Sequence, residues 1–311
     1  MTALSVQNLT RRFGKLTAVD DVSFEVNRGE ILGFIGPNGA GKTTTMRICS
    51  TLELPDEGDV LVDGRSVLTH PREARERLGF MPDSYGAYVL TTIAEYLDFY
   101  ARAYGLRGRS RTRMLDYVKE FTALRPLEEK LITSLSKGMK QRLCLAKTLL
   151  HDPAILVLDE PAAGLDPHAR VELRELVKAL AELDKAVMIS SHILSELSQI
   201  CTTVAVIEAG KIRATGTVED VVRGVQAKRT RVFIRAIAPP DAVHKALLEE
   251  PDVHDVRIHR AGVLVELEGQ EDSQARLLKR LVERGLDPIE FSPAAVDLED
   301  VFLSLTQGQV Q

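Results

Sequence analysis

Residues Gly36-Pro37-Asn38-Gly39-Ala40-Gly41-Lys42-Thr43 place glycines, a lysine and a threonine in the pattern G-x-x-x-x-G-K-[ST]. Glycines let a backbone curl until several N–H groups point into one concavity, which suits an anion rich in oxygen acceptors. Lys42 adds a compact cation, and Thr43 adds a hydroxyl of the kind that magnesium takes as a ligand. The chemistry implied is the binding of a polyphosphate with Mg2+. Gly36, Asn38, Gly39 and Gly41 form its cradle, Lys42, Thr43 and Thr44 face the phosphates, and Thr43 also serves the metal. A chance match in a glycine-rich turn is the alternative, with odds on the order of one in a hundred at ordinary glycine usage.

A bound metal phosphate calls for a carboxylate opposite. Ile155-Leu156-Val157-Leu158 is an apolar run that ends in Asp159-Glu160. Strand side chains alternate, so the two acids are expected on opposite sides of a strand tip. Asp159 then holds magnesium through water, and Glu160 accepts a proton from an attacking water. Two surface acids at a strand end are the other reading.

These residues need a frame, and the flanking sequence supplies one. Ile31-Leu32-Gly33-Phe34-Ile35 reads as a buried strand that feeds the glycine turn, and a helix should start near Lys42, adding its N-terminal dipole to the cradle. Residues 4–9 and 22–26 alternate as a strand pair. Residues 91–104 and 115–124 read as helices, 154–158, 186–190 and 204–207 as strands, and 169–183 as a helix. Alternating strands and helices argue for an α/β sheet.

Residues 224–231 turn polar and basic, which marks a boundary between a domain over 1–224 and a second over 230–311. Past it, Val232, Ile234 and Ala236, then Val256 and Ile258, then Val263, Val265 and Leu267 alternate with charged residues as one-faced strands. Helical patterns cover 241–249 and 273–284, and a last helix sets Leu298, Val301, Phe302 and Leu305 on one stripe. That order suits a small α+β, ferredoxin-like sandwich.

Composition limits the partners. The 311 residues carry 40 basic against 45 acidic side chains, a formal charge of -5, which offers no broad cationic surface to a nucleic acid. Cys49, Cys144 and Cys201 stand far apart, so neither a zinc cluster nor a disulfide framework is expected, and a reducing cytoplasm is the simplest compartment. The first residues lack the apolar stretch of a secretory signal. No apolar run approaches the roughly 20 residues of a membrane helix.

Between the cradle and the carboxylates lies Leu135-Ser136-Lys137-Gly138-Met139-Lys140-Gln141-Arg142, which resembles the signature of ABC ATPases, usually L-S-G-G-Q. Leu135, Ser136 and Gly138 keep the pattern, and Lys137 and Met139 depart from it. A serine N-cap before an ordinary helix over 137–149 is the plainer reading of the same residues. The resemblance implies an α/β phosphate-loop ABC ATPase domain with an antiparallel β subdomain and a helical subdomain at about 83–150. It also implies ATP and Mg2+ as cofactors. In that family Ser136 and Gly138 would seat the γ-phosphate of a nucleotide held by another subunit.

Further positions match in order. Phe13 stands where the family most often has an adenine-stacking tyrosine, His192 resembles the switch histidine that contacts the γ-phosphate, and Asp166 in Gly164-Leu165-Asp166 resembles the D-loop. The main departure is Asp83, in Gly79-Phe80-Met81-Pro82-Asp83, where glutamine usually joins the metal site to the membrane partner. Aspartate is shorter and charged, and it is assigned here to the metal through water.

The resemblance implies a motor bound to the cytoplasmic face of the cell membrane, paired with a second copy of itself or a homologous subunit. A separate transmembrane permease would complete the transporter. Leu298 to Leu305 resembles the end of drug- and antibiotic-type exporter subunits, which favours export of a drug, antibiotic, lipid or other hydrophobic compound. Aromatic residues at 83–104, namely Tyr85, Tyr88, Tyr96, Phe99 and Tyr100, are expected to dock the permease, with core packing as the competing reading. The alternative functions are a soluble ABC ATPase of DNA repair or translation and a regulatory ATP-binding module.

Overall fold

The computed structural model describes residues 1–83, 90–191, 197–226, 230–259, 262–267 and 271–294. The described chain divides after Thr217 into two compact units. Each is built on its own hydrophobic core.

The first unit opens with two 12-residue strands, β1 (Thr2–Phe13) and β2 (Leu16–Asn27), followed by β3 (Ile31–Ile35), α1 (Lys42–Cys49), β4 (Glu57–Val62) and β5 (Arg65–Ser66). Next come α2 (Pro71–Arg77), β6 (Leu78–Met81), α3 (Ile93–Ala103), α4 (Gly108–Phe121), α5 (Lys137–Leu149) and β7 (Ile155–Leu158). The unit closes with α6 (Pro167–Glu182), β8 (Ala186–Ser190), β9 (Thr203–Glu208) and β10 (Lys211–Thr217). Strands β1 and β2 run well past the 4–9 and 22–26 expected from alternation. Register shifts interrupt β1 after Val6, Leu9 and Arg11, so each bulge breaks the period of two while pairing continues.

Two sheets share the core. An antiparallel sheet has the order β2-β1-β4-β5, and a second has the order β10-β9-β3-β8-β7-β6. In the second sheet β9, β3, β8, β7 and β6 are parallel and only β10 is antiparallel. The inner strands β3, β7 and β8 are buried at every residue, as expected when a parallel sheet is covered on both faces. Helix α1 and both sheets meet in one cluster that includes Phe24, Phe34, Met46 and Ile48. Because β3, β6, β7 and β8 point the same way, their carboxyl ends open at one edge, where α/β sheets bind ligands.

The middle helices are compact. Helix α3 begins with a reciprocal capping box between Thr92 and Glu95. Tyr96 is only 2% exposed, which corrects its expected place on a docking surface. Its ring packs edge-on to Tyr100, 4.9 Å away and one turn along α3, a helix that packs against both α4 and α5. Phe99 does project outward, at 56% exposure. Tyr85 and Tyr88 lie outside the described residues.

The second unit runs α7 (Val218–Gln226), β11 (Thr230–Ala236), α8 (Pro240–Leu248), β12 (Val253–His259), β13 (Gly262–Leu267), α9 (Glu271–Glu283) and β14 (Pro288–Pro293). Its antiparallel sheet has the order β12-β13-β11-β14. Val232, Ile234, Val263 and Val265 turn one face toward Val243 and Leu247 of α8 and Leu277 and Leu281 of α9. The stripe expected from Leu298 to Leu305 lies outside the described residues.

Candidate functional site

At the carboxyl edge of the parallel sheet, β3 passes directly into the glycine turn and α1. Gly41 is the N-cap of α1 with φ 103°, a backbone setting that L side chains rarely adopt. A Cβ there would also strike the carbonyl oxygen of Ala18, and one at Gly36 would strike that of Ile207. The glycines are therefore required by close approach as well as by the turn. No side chain caps α1, so its first N–H groups remain available to an acceptor from outside.

Lys42 folds back over the loop. Its Nζ donates to the carbonyl oxygens of Gly36 at 2.7 Å and Pro37 at 3.1 Å, and the side chain is 7% exposed. Burial lowers its pKa, and the negative charges of Glu160 and Asp159 partly offset that shift. Three N–H donors on an ammonium leave capacity for a phosphate.

Asp159 follows β7 and is 2% exposed. Its Oδ1 accepts from Ser190 Oγ at 2.7 Å, and Thr43 hydrogen-bonds to the same carboxylate. Burial raises its pKa, the bonds from Ser190 and Thr43 lower it, and Asp83 and Glu160 add repulsion. Ser190 Oγ also accepts from the Glu160 N–H at 2.9 Å, so one hydroxyl fixes both acidic residues. Ser190 received no role from the sequence, although a serine closing the apolar run at 186–190 was the available signal.

The strand ends at Leu158, and Glu160 has φ 48°, in the left-handed region. Alternation along a strand therefore does not place the two acids. A turn just past the strand does so, a setting uncommon for a residue with a Cβ and concentrated at functional sites.

A cavity of about 690 Å³ is lined by Asn38, Gly39, Gly41, Lys42, Thr43 and Thr44 of the loop and helix start, by Asp83 and Glu160, and by Phe13. Gly36 and the buried Asp159 do not line it. Phe13 is 44% exposed and carries the Arg11 guanidinium 4.7 Å above its ring. Leu16, Ala18 and Ala163 complete the lining and were not anticipated.

Ser136, Gly138 and Asp166 do not line this cavity. Ser136 is an exposed N-cap of α5 and accepts from the Met139 N–H at 3.3 Å. Asp166 caps α6 in the same way, accepting from Ala169 N–H at 3.0 Å. His192 lies outside the described residues.

Hard oxygen donors, a fixed ammonium and open N–H groups around one hollow suit a nucleotide polyphosphate and a magnesium ion. The ABC transporter family pattern matches residues 19–163. The bacitracin transport ATP-binding protein BcrA of Bacillus licheniformis is 34% identical over 309 residues, covering 99% of this chain and 98% of that protein. The linearmycin resistance ATP-binding protein LnrL of Bacillus subtilis is 30% identical over 306 residues, covering 97% and 98%. A solved ATP-binding subunit of an ABC transporter superposes with a TM-score of 0.66 at 30% identity, covering 72% of this chain and 94% of that one. With cradle, carboxylates and full-length relatives in agreement, this chain belongs to the ATP-binding proteins of ABC transporters, which hydrolyse ATP to drive transport.

Proposed function

We propose that this subunit powers export of a drug, antibiotic, lipid or other hydrophobic compound from the cytoplasmic face of the membrane. It works as half of a two-subunit ATPase joined to a separate transmembrane permease. The observation that carries the two-subunit reading is the division of the motifs. The phosphate loop, Asp83 and Glu160 share one cavity, whereas Ser136 and Gly138 do not line it. A second copy, or a homologous subunit, would bring its own Ser136, Gly138 and Asp166 to the nucleotide.

In this reading Phe13 stacks on the adenine, and Lys42, Thr44 and the loop N–H groups hold the phosphates. Thr43, Asp159 and Asp83 would hold Mg2+, which draws phosphate oxygens together and neutralises their charge. Glu160 takes the proton of the attacking water, and His192 contacts the γ-phosphate. Closure would follow from ATP contacting both subunits at once, and hydrolysis would release them.

Export draws support from the full-length similarity to proteins named for bacitracin transport and linearmycin resistance. The second domain, assigned to residues 230–311, is proposed to be ferredoxin-like, with support from the strand, helix, strand, strand, helix, strand order of β11 to β14. Phe99 remains a candidate contact for the permease. Purification of the tagged subunit from membranes tests the assignment. A co-purifying hydrophobic protein of several membrane helices is the expected result, and recovery with soluble partners alone would refute it.

A further inference from the structure

Helices α5 and α6 begin side by side, and the contact between them has almost no slack. A Cβ on Gly138, the second residue of α5, would lie 2.8 Å from the Cβ of Ala169. Unbonded carbons settle at about 3.5–4.0 Å, so Gly138 accepts no Cβ without a shift of one of the two helices. Ala169 is itself held by the D-loop, because its N–H donates to Asp166 Oδ1 at 3.0 Å. Lys137 Nζ rests over Gly164, again on the space a Cβ would fill, although its flexible tip could swing aside. One turn further on, Arg142 and Glu172 face each other at 3.9 Å across the same two helices.

We propose that Ala169 is a positioning residue, its methyl group setting the spacing at which Gly138 of the signature and Asp166 of the D-loop meet the second subunit as one surface. The proposal rests on the two-subunit reading above. It adds that the two trans-acting motifs of one chain are joined through a single close contact. Displacing α6 by the width of a methyl group would move Asp166 and Gly138 apart, while the phosphate loop of the same chain would be untouched.

The test uses the full chain with Ala169→Val, Gly138→Ala and the double variant Gly138→Ala/Ala169→Gly, which exchanges the methyl group across the contact. Three quantities are read: Kd for a fluorescent ATP analogue, kcat for ATP, and ATP-driven dimerisation in the Glu160→Gln background. Each single variant should lower kcat by on the order of 10²-fold, the usual effect of misplacing a catalytic group by about 1 Å, and Ala169→Val should do so with nucleotide Kd unchanged. The double variant should recover at least about tenfold of that loss and restore the dimer. A merely structural residue would not give recovery confined to kcat and dimerisation.

Full activity in Ala169→Val, or a double variant as inactive as Gly138→Ala, would overturn the positioning role. If Ala169→Val does not fold, the volume-conserving double variant still decides. A Glu160→Gln chain that stays monomeric with ATP, both alone and with any ATPase subunit that co-purifies with it from membranes, overturns the two-subunit reading and the proposal with it. A dimer that the double variant fails to restore overturns the positioning role alone.

Discussion

The nucleotide site of the first unit and the core of the second both bury charged side chains and use them in opposite ways, whereas Glu208 of the first unit, which does not line the cavity, is paired with Arg213 at 3.2 Å. In the first, Lys42 and Asp159 are 7% and 2% exposed at the open edge of a parallel sheet, their hydrogen bonds go to local carbonyls and hydroxyls, and the pull of Glu160 and Asp159 on Lys42 only partly offsets the cost of its burial. In the second, charges neutralise one another. Buried Glu250 lies 2.7 Å from Arg280 and 3.1 Å from Arg284, and Arg231 donates twice to Glu266. A buried charge without a directly paired counter-ion is costly unless something completes it, so the first arrangement is one that a ligand improves. The second is already neutralised by its own partners.

The sharpest way to break this comparison is to remove the reactive group of the first unit. Glu160→Gln should slow ATP turnover by about 10²- to 10⁴-fold, the weight of a general base, while ATP still binds. Near-normal steady-state hydrolysis by that variant would mean that the proton goes elsewhere. Lys42→Ala should act on binding, with a smaller effect. Hydrogen bonds to charged groups contribute about 1.5–3 kcal/mol, which corresponds to a loss of about 10- to 100-fold in ATP affinity. Isothermal titration checks it, and an unchanged Kd would show that the loop N–H groups suffice alone.

The same contrast explains what could be read without coordinates. The glycine cradle was legible because steric need restricts its residue types, and the signature helix was legible because Ser136 marks its start. Strands β3, β7 and β8 were legible as short apolar runs, since burial on both faces forbids polar residues. Strand β6 was not recognised, because Gly79 occupies its second position. A Cβ there would lie 2.7 Å from Thr148 Cγ2, so the glycine reflects a neighbour 69 residues away rather than a local preference. The positive φ of Glu160 and the double role of Ser190 depend on strands brought together by the sheet, which no linear pattern encodes. The burial of Tyr96 depends on how α3 meets α4 and α5, and an amphipathic stripe does not show which of its aromatic residues lies at the centre.

The smallest expected effect on nucleotide chemistry comes from damaging the second core. Leu247 is fully buried among Val232, Val256 and Leu281, and none of its cluster partners belongs to the first unit. Leu247→Ala should destabilise the second unit by about 2–5 kcal/mol through lost transfer energy and a residual cavity. Sites without shared partners combine within about 0.3–0.5 kcal/mol, so ATP affinity should change by no more than about twofold. Calorimetry of the variant should show one transition moved to lower temperature and the other in place, with the nucleotide raising only the latter. If the variant instead lost ATP affinity in step with its melting temperature, the second unit would be a working part of the nucleotide site, and the division between open and self-neutralised charge would not mark a division of function.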